Sequence, residues 1–124
     1  MAPGDDEITL QLIFDENRRW LTARIDVADD VVLRMIINPG YPISAITQRA
    51  LHDLLARGFA VPDRVGTYLV QRLQADGQSL PNIGVRVRAA LDRFGVDGIL
   101  GFDFATNFTD VCLNIPARRL TLRP

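Results

Sequence analysis

The sequence predicts a small, mostly β domain, barrel-like or sandwich-like, with one main helix and one short helix. Three observations carry this expectation. Apolar and polar residues alternate over many short runs. Clusters of turn-forming residues separate those runs. A single longer segment has helical spacing, with a capping residue before it and a glycine after it. The 124 residues fit one domain, 1–124, with 1–7 as a flexible polar segment, and a hydrophobic content of 48% supports a folded core.

The elements follow in order. Ile8, Leu10, Leu12 and Phe14 alternate with Thr9, Gln11 and Ile13 as a first strand, and Asp15-Glu16-Asn17 turns it. Leu21 to Val27 alternates as a second strand, and Asp29-Asp30 turns again. Val31 to Ile37 is apolar on both faces, which places a third strand inside the sheet. After Asn38-Pro39-Gly40 comes the main helix. Ser44 or Thr47 caps it, Ile46, Ala50, Leu51, Leu54 and Leu55 give its spacing, and Gly58 stops it. Tyr68 to Leu73 reads as a strand, Asp76-Gly77 as a hairpin turn, and Val85 to Leu91 as the return strand. Phe102 to Phe108 reads as the short helix. Val111, Leu113 and Ile115 form a strand, Pro116-Ala117 turn it, and Leu120 and Leu122 close the chain.

Composition excludes several classes of function. The net charge is -1, from 14 basic and 15 acidic residues, which gives no footprint for nucleic acid. Arg18-Arg19 and Arg118-Arg119 read as solvated surface pairs, with nothing aromatic interleaved. The single cysteine, Cys112, cannot form an intramolecular disulfide, and it reads as a strand thiol. With His52 the only histidine, neither a Cys-His nucleophile nor a zinc site is indicated. No cofactor and no metal are expected. The N-terminus lacks the pattern of a signal peptide, and no apolar run reaches membrane-spanning length. The expectation is a cytoplasmic protein with no membrane association.

Two segments carry the chemistry-bearing pattern. The first is VVLRMIINPGYPISAI, a strand that runs into Asn38-Pro39-Gly40 and leaves through Ser44 and Ile46. The second is VDGILGFDF, from Val96 to Phe104. Together they resemble the retropepsins, the single-domain aspartic proteases of retroviral type. That family sets an apolar strand before Asp-Thr/Ser-Gly, then Ser/Thr-x-Ile/Leu and a helix. Gly40, Ser44 and Ile46 match the first pattern. Ile99, Leu100 and Gly101 match the family's apolar-apolar-Gly element, and Asp97 and Asp103 are of the kind seen in bacterial members. The closing VCLNIPARRLTL is similar to the strand-turn-strand that ends such domains. The resemblance spans about Leu21 to Leu122. It implies the closed barrel-like retropepsin (acid protease) fold.

The resemblance also implies a homodimer in which each subunit supplies one Asp to a pair sharing a proton. Here Asn38 stands at the position of that catalytic Asp. An amide cannot take a proton from water near neutral pH. Pro39 stands where the family has a hydroxyl that locks the two active-site loops together, and it brings neither hydroxyl nor N–H. Gly40 fits a turn that needs a permissive backbone. The flap is altered or shortened. Its candidates are Asp63 to Leu73, with Gly66 alone, or the Asp76-Gly77 turn.

Ser44, Tyr68, Asp97, Ile99, Leu100, Gly101 and Asp103 are the remaining candidates for binding or supporting the cleft. Tyr41 and Tyr68 read as half-buried rim residues. Asp97 is a candidate acid or base, or else accepts backbone hydrogen bonds at a tight turn. Asp103 is a candidate of the same kind, or else supports the short helix. The leading expectation is a non-proteolytic retropepsin-like module for homodimerisation or peptide binding, with a peptide or protein as ligand. The alternative is an active homodimeric aspartic endopeptidase whose catalytic Asp is replaced by Asn38. A third is a different enzyme using Asp97 or Asp103. The apolar C-terminal Leu120-Thr121-Leu122 reads as an edge strand that a partner would cover.

Overall fold

The computed structural model describes residues 7–124. The expected flexible segment falls outside them except for Glu7. The Glu7 carbonyl accepts a hydrogen bond from Gln78 Nε2, and its carboxylate lies 3.0 Å from Arg123. The chain runs through β1 (Ile8–Asp15), β2 (Trp20–Val27), β3 (Val31–Ile37), β4 (Ala45–Ile46), α1 (Gln48–Arg57), β5 (Ala60–Pro62), β6 (Tyr68–Val70), β7 (Leu73–Ala75), β8 (Gln78–Ser79) and β9 (Ile83–Val87). A 3₁₀ turn (Ala89–Phe94), β10 (Gly98–Leu100), α2 (Phe102–Ala105), β11 (Asp110–Asn114) and β12 (Arg119–Arg123) complete it.

The domain is mostly β, as the alternation predicts. β1 serves two sheets: Ile8 to Gln11 pair with β12, and Leu12 to Asp15 pair with β2. Phe14 is thereby left partly exposed, while Ile8, Leu10 and Leu12 are buried. β3 is indeed interior, between β2 and β10. The β2–β3 turn is tight because Ala28 and Asp29 both adopt left-handed φ and the Asp30 N–H donates to the Val27 carbonyl. β10 runs parallel to β3 and antiparallel to β4, and β4 runs parallel to β9.

The sheet is not the closed barrel expected. Its ladder path ends at β11 on one side and β5 on the other. The predicted strand from Tyr68 to Leu73 breaks at Gln71-Arg72. Arg72 has φ 64°, the Gln71 N–H donates to the Phe59 carbonyl, and the Arg72 carbonyl accepts from Ala28. Two short strands result, β6 on β9 and β7 on β2, with the ladder interrupted between them. The predicted strand from Val85 to Leu91 is also shorter. The Arg88 N–H still donates to Ile46, but β4 offers no further partner, and the chain coils into the 3₁₀ turn that Gly95 closes at φ 68°. The Asp76-Gly77 hairpin joins β7 to β8, and the return strand pairs with β6 instead.

α1 is capped by Thr47, whose hydroxyl accepts from the Ala50 N–H at 3.2 Å, and Gly58 ends it in the left-handed region. A cap of this kind contributes about 1 kcal/mol. Ala50, Leu51 and Leu54 face the core. Hydrogen bonds to Asp53 and then Asp30 tie Arg57 to the β2–β3 turn and hold its pKa above the usual arginine value. The main core joins Ile25, Val27, Ile46, Leu54, Val70 and Leu122. A smaller cluster of Ile36, Ala45, Leu91, Val96 and Ile99 packs against Trp20 and Tyr41.

The strand of Leu120 and Leu122 is not an edge. β12 is paired on both sides, by β1 and β11, and both leucines are buried. The edge is β11, all five of whose residues are exposed, Cys112 among them. No helix among the described residues is long and apolar enough to cross a membrane.

Candidate functional site

The parallel pairing of β3 with β10 decides where the two motifs meet. Parallel neighbours end at the same edge of a sheet, so the turn after Ile37 emerges beside Gly101. The Asn38 N–H donates to the Leu100 carbonyl at 3.0 Å, and the Phe102 N–H donates to the Tyr41 carbonyl at 2.7 Å. The approach is close because Gly101 has no side chain. A Cβ there would lie 2.3 Å from the Tyr41 carbonyl oxygen. Gly98 plays the same part at the other end of β10, where a Cβ would lie 2.3 Å from the Ala45 carbonyl oxygen.

Asn38, Pro39 and Gly40 are exposed. The Asn38 side-chain oxygen accepts the Gly40 N–H at 3.1 Å, and its carbonyl accepts the Tyr41 N–H. Gly40 is not in the left-handed region, contrary to the backbone argument for it. A Cβ on Gly40 would sit 3.3 Å from Asn38 Oδ1, so glycine leaves room for the amide to fold back.

Ser44, Gly101 and Asp103 form one hydrogen-bonded unit. The Ser44 hydroxyl donates to Asp103 Oδ1 at 2.7 Å and accepts the buried Gly101 N–H at 2.9 Å. Asp103 also accepts the backbone N–H groups of Ser44 and Phe104. Ser44 therefore joins the two motifs, and Thr47 alone caps α1. Asp103 supports the short helix, as one reading expects, and holds the loop after Gly40 as well. Oδ1 takes three of these donors, and Oδ2 shares the Ser44 N–H.

Asp97 is elsewhere. It accepts the Arg34 N–H at 2.8 Å and lies 3.9 Å from Arg49, bordering a hollow beside α1. Asp97 thus bonds backbone, but that of β3, 63 positions away, and not that of its own turn. Tyr68 sits on β6 opposite Val85, half-buried against the main core. Ile99 and Leu100 point to opposite sides. Leu100 enters the main core, and Ile99 enters the smaller cluster beneath the Asn38 turn.

A groove of about 650 Å³ opens in front of Asn38. Ile36, Ile99 and Leu91 line it together with Trp20, Phe94 and Tyr41. Trp20 and Phe94 meet edge to face at 5.3 Å. The Arg18 guanidinium lies 5.6 Å from the Trp20 ring and 5.5 Å from the Phe94 ring, and donates to the Phe94 carbonyl. Arg18 is exposed, as its reading as a solvated pair member expects, but aromatic rings flank it, which that reading left out. The adjacency Arg18-Arg19-Trp20 was the available signal. Phe94 lies too far along the chain for any local pattern to reveal it. The β5–β6 hairpin contributes nothing to the groove lining. Among the described residues no group of His, Cys, Asp and Glu is arranged to hold a metal ion.

No protein-family model and no curated protein sequence matches the chain. Solved structures do. A retropepsin-like aspartic protease from Rickettsia conorii superposes with a TM-score of 0.58 at 16% identity, over 94% of this chain and 88% of that one. The retroviral protease-like domain of Ddi1 from Leishmania major gives 0.57 at 13% identity, over 85% and 94%. At such identities the likeness speaks for the backbone, and it agrees with the motif pairing read from the sequence. The chain has the retropepsin-like aspartic protease fold.

Proposed function

We propose that this domain is a non-proteolytic member of that fold, a homodimerisation and peptide-binding module. The observation that carries the proposal is Asn38-Pro39 where the motif resemblance puts the catalytic Asp and its hydroxyl neighbour, with the Asn38 amide oxygen committed to Gly40. Acid catalysis of peptide hydrolysis needs two carboxylates sharing a proton across a water. Two facing asparagines offer hydrogen bonds and no base. The nearby carboxylate of Asp103 is occupied by backbone and hydroxyl donors, and Asp97 borders a different hollow. Incubation with a broad peptide library across about pH 3 to 8, where aspartic dyads titrate, is expected to give no pepstatin-sensitive cleavage. Robust pepstatin-sensitive turnover would overturn the proposal and favour the endopeptidase reading.

Two features support dimerisation. The groove is open and one-sided, as half of a two-fold cleft is. The edge strand β11, paired on one side only, carries exposed Val111 and Leu113, which pairing with a second copy would cover. Sedimentation at roughly tens of micromolar is expected to give a dimer, the commonest closed assembly. A strictly monomeric mass there would remove the dimer from the proposal.

A further inference from the structure

We infer that the Asn38 groove recognises an extended peptide through an acidic side chain set beside a large apolar one. The inference rests on the peptide-binding reading above and names the chemistry of its ligand. The polar groups lining the groove are almost all donors. Arg18 and Arg19 are there, and no carboxylate is, although the whole chain carries a net charge of -1. Arg18 and Arg19 have no acidic partner among the described residues; other arginines share that, and what sets these two apart is that they line the groove. The nearest acid in the turn, Asp15, is spent on the backbone N–H groups of Asn17 and Arg18. Asp15 and Glu16 border a neighbouring hollow on the far side of Trp20 and Phe94.

Asn38 completes the donor set. With Oδ1 held by Gly40, its Nδ2 has no partner among the described residues, and the residue lines the groove. A carboxylate in the family's position would present an acceptor; the amide presents two N–H donors instead. Arg18 is held in place by the two rings and the Phe94 carbonyl, so little side-chain freedom is lost when its remaining N–H groups meet a ligand. Behind this donor rim, Ile36, Leu91 and Ile99 offer an apolar floor. A ligand matching both parts brings acceptor oxygens and an apolar group to the same face, as a Glu or Asp two residues before a Phe or Leu in an extended peptide does.

The test uses three short fluorescein-labelled peptides that differ only in a Glu, Gln or Lys two residues before a Phe (the Glu-Phe, Gln-Phe and Lys-Phe peptides), with binding read by anisotropy at low and high salt. The Glu-Phe peptide is expected to bind at least about tenfold more tightly than the Gln-Phe peptide, with the gap narrowing in high salt. Arg19→Gln, at an exposed position, should narrow the same gap. Equal binding of the Glu-Phe and Gln-Phe peptides, or preference for Lys-Phe, overturns the acidic specificity and leaves peptide binding standing. Failure of all three to bind, with a dimer that resists added peptide, overturns both, and assigns the groove to a second copy of the chain.

Discussion

Gly101→Ala is expected to cost about 3 kcal/mol of stability or more, or to prevent folding, at the upper end of what overpacking costs because only backbone movement relieves it. The added methyl would lie 2.3 Å from the Tyr41 carbonyl oxygen and 3.3 Å from Ile43 and Ser44 backbone atoms. No flexible side chain stands between them to give way. The loop after Gly40 would have to lift off β10, which breaks the Phe102-to-Tyr41 hydrogen bond and strains the Ser44 unit beside it. In a domain of this size the loss corresponds to a fall of about 10 °C in Tm. Urea and thermal unfolding measure it directly. A Gly101→Ala protein within about 1 kcal/mol of the parent would show that the two loops are not locked against each other as described.

The second large effect belongs to Asp103. Removing its carboxylate with Asp103→Ala strips acceptors from the Ser44 hydroxyl and from two backbone N–H groups, in a partly buried setting. Unpaired polar groups of this kind cost about 1 to 3 kcal/mol each when buried, and partial exposure moderates the sum to an expected loss of about 2 to 3 kcal/mol. Asp103→Asn should fall between, since it keeps one acceptor oxygen and turns an amide N–H₂ toward donors. Ser44→Ala acts on the same unit and orphans the buried Gly101 N–H. The two losses are therefore expected not to add. A double-mutant cycle should give a coupling of at least about 1 kcal/mol, the range found for residues in one network. Additive losses would mean that Ser44 and Asp103 stabilise the domain separately, and that no hydrogen-bonded lock joins the two motifs.

Both variants bear on function through the same geometry. The loop held by Gly101, Ser44 and Asp103 carries Tyr41, and its base is Asn38. Groove and lock are thus separate parts of one substructure: the lock is buried and self-satisfied, and the groove is open and rich in unsatisfied donors. In a protease the reacting groups would stand in the open part. Here an amide and two arginines stand there.

Much of the fold was legible in the sequence. Alternation over Ile8 to Leu12 and Leu21 to Val27 marked strands because a pleated chain turns successive side chains to opposite faces. Ser44 or Thr47 at one end and Gly58 at the other marked α1, because unpaired helix termini need a capping acceptor and a left-handed stop; the structure takes Thr47. The apolar Val31 to Ile37 marked an interior strand. Each of these is a relation among residues a few positions apart. The pairing of Asn38-Pro39-Gly40 with Ile99-Leu100-Gly101 was also visible, as the ordered echo of a known fold.

The tertiary structure alone decided the rest. It broke the strand at Arg72 and left the sheet open. It made β11 the edge in place of β12, since which strand lies outermost depends on the order of the whole sheet and not on any one strand's composition. It brought Ser44 to Asp103 and Arg18 to Phe94, pairs separated by 59 and 76 positions. Periodicity and capping report on backbone within about one helical turn. Contacts at such separations follow from strand register and crossover, which no local stretch of the chain encodes.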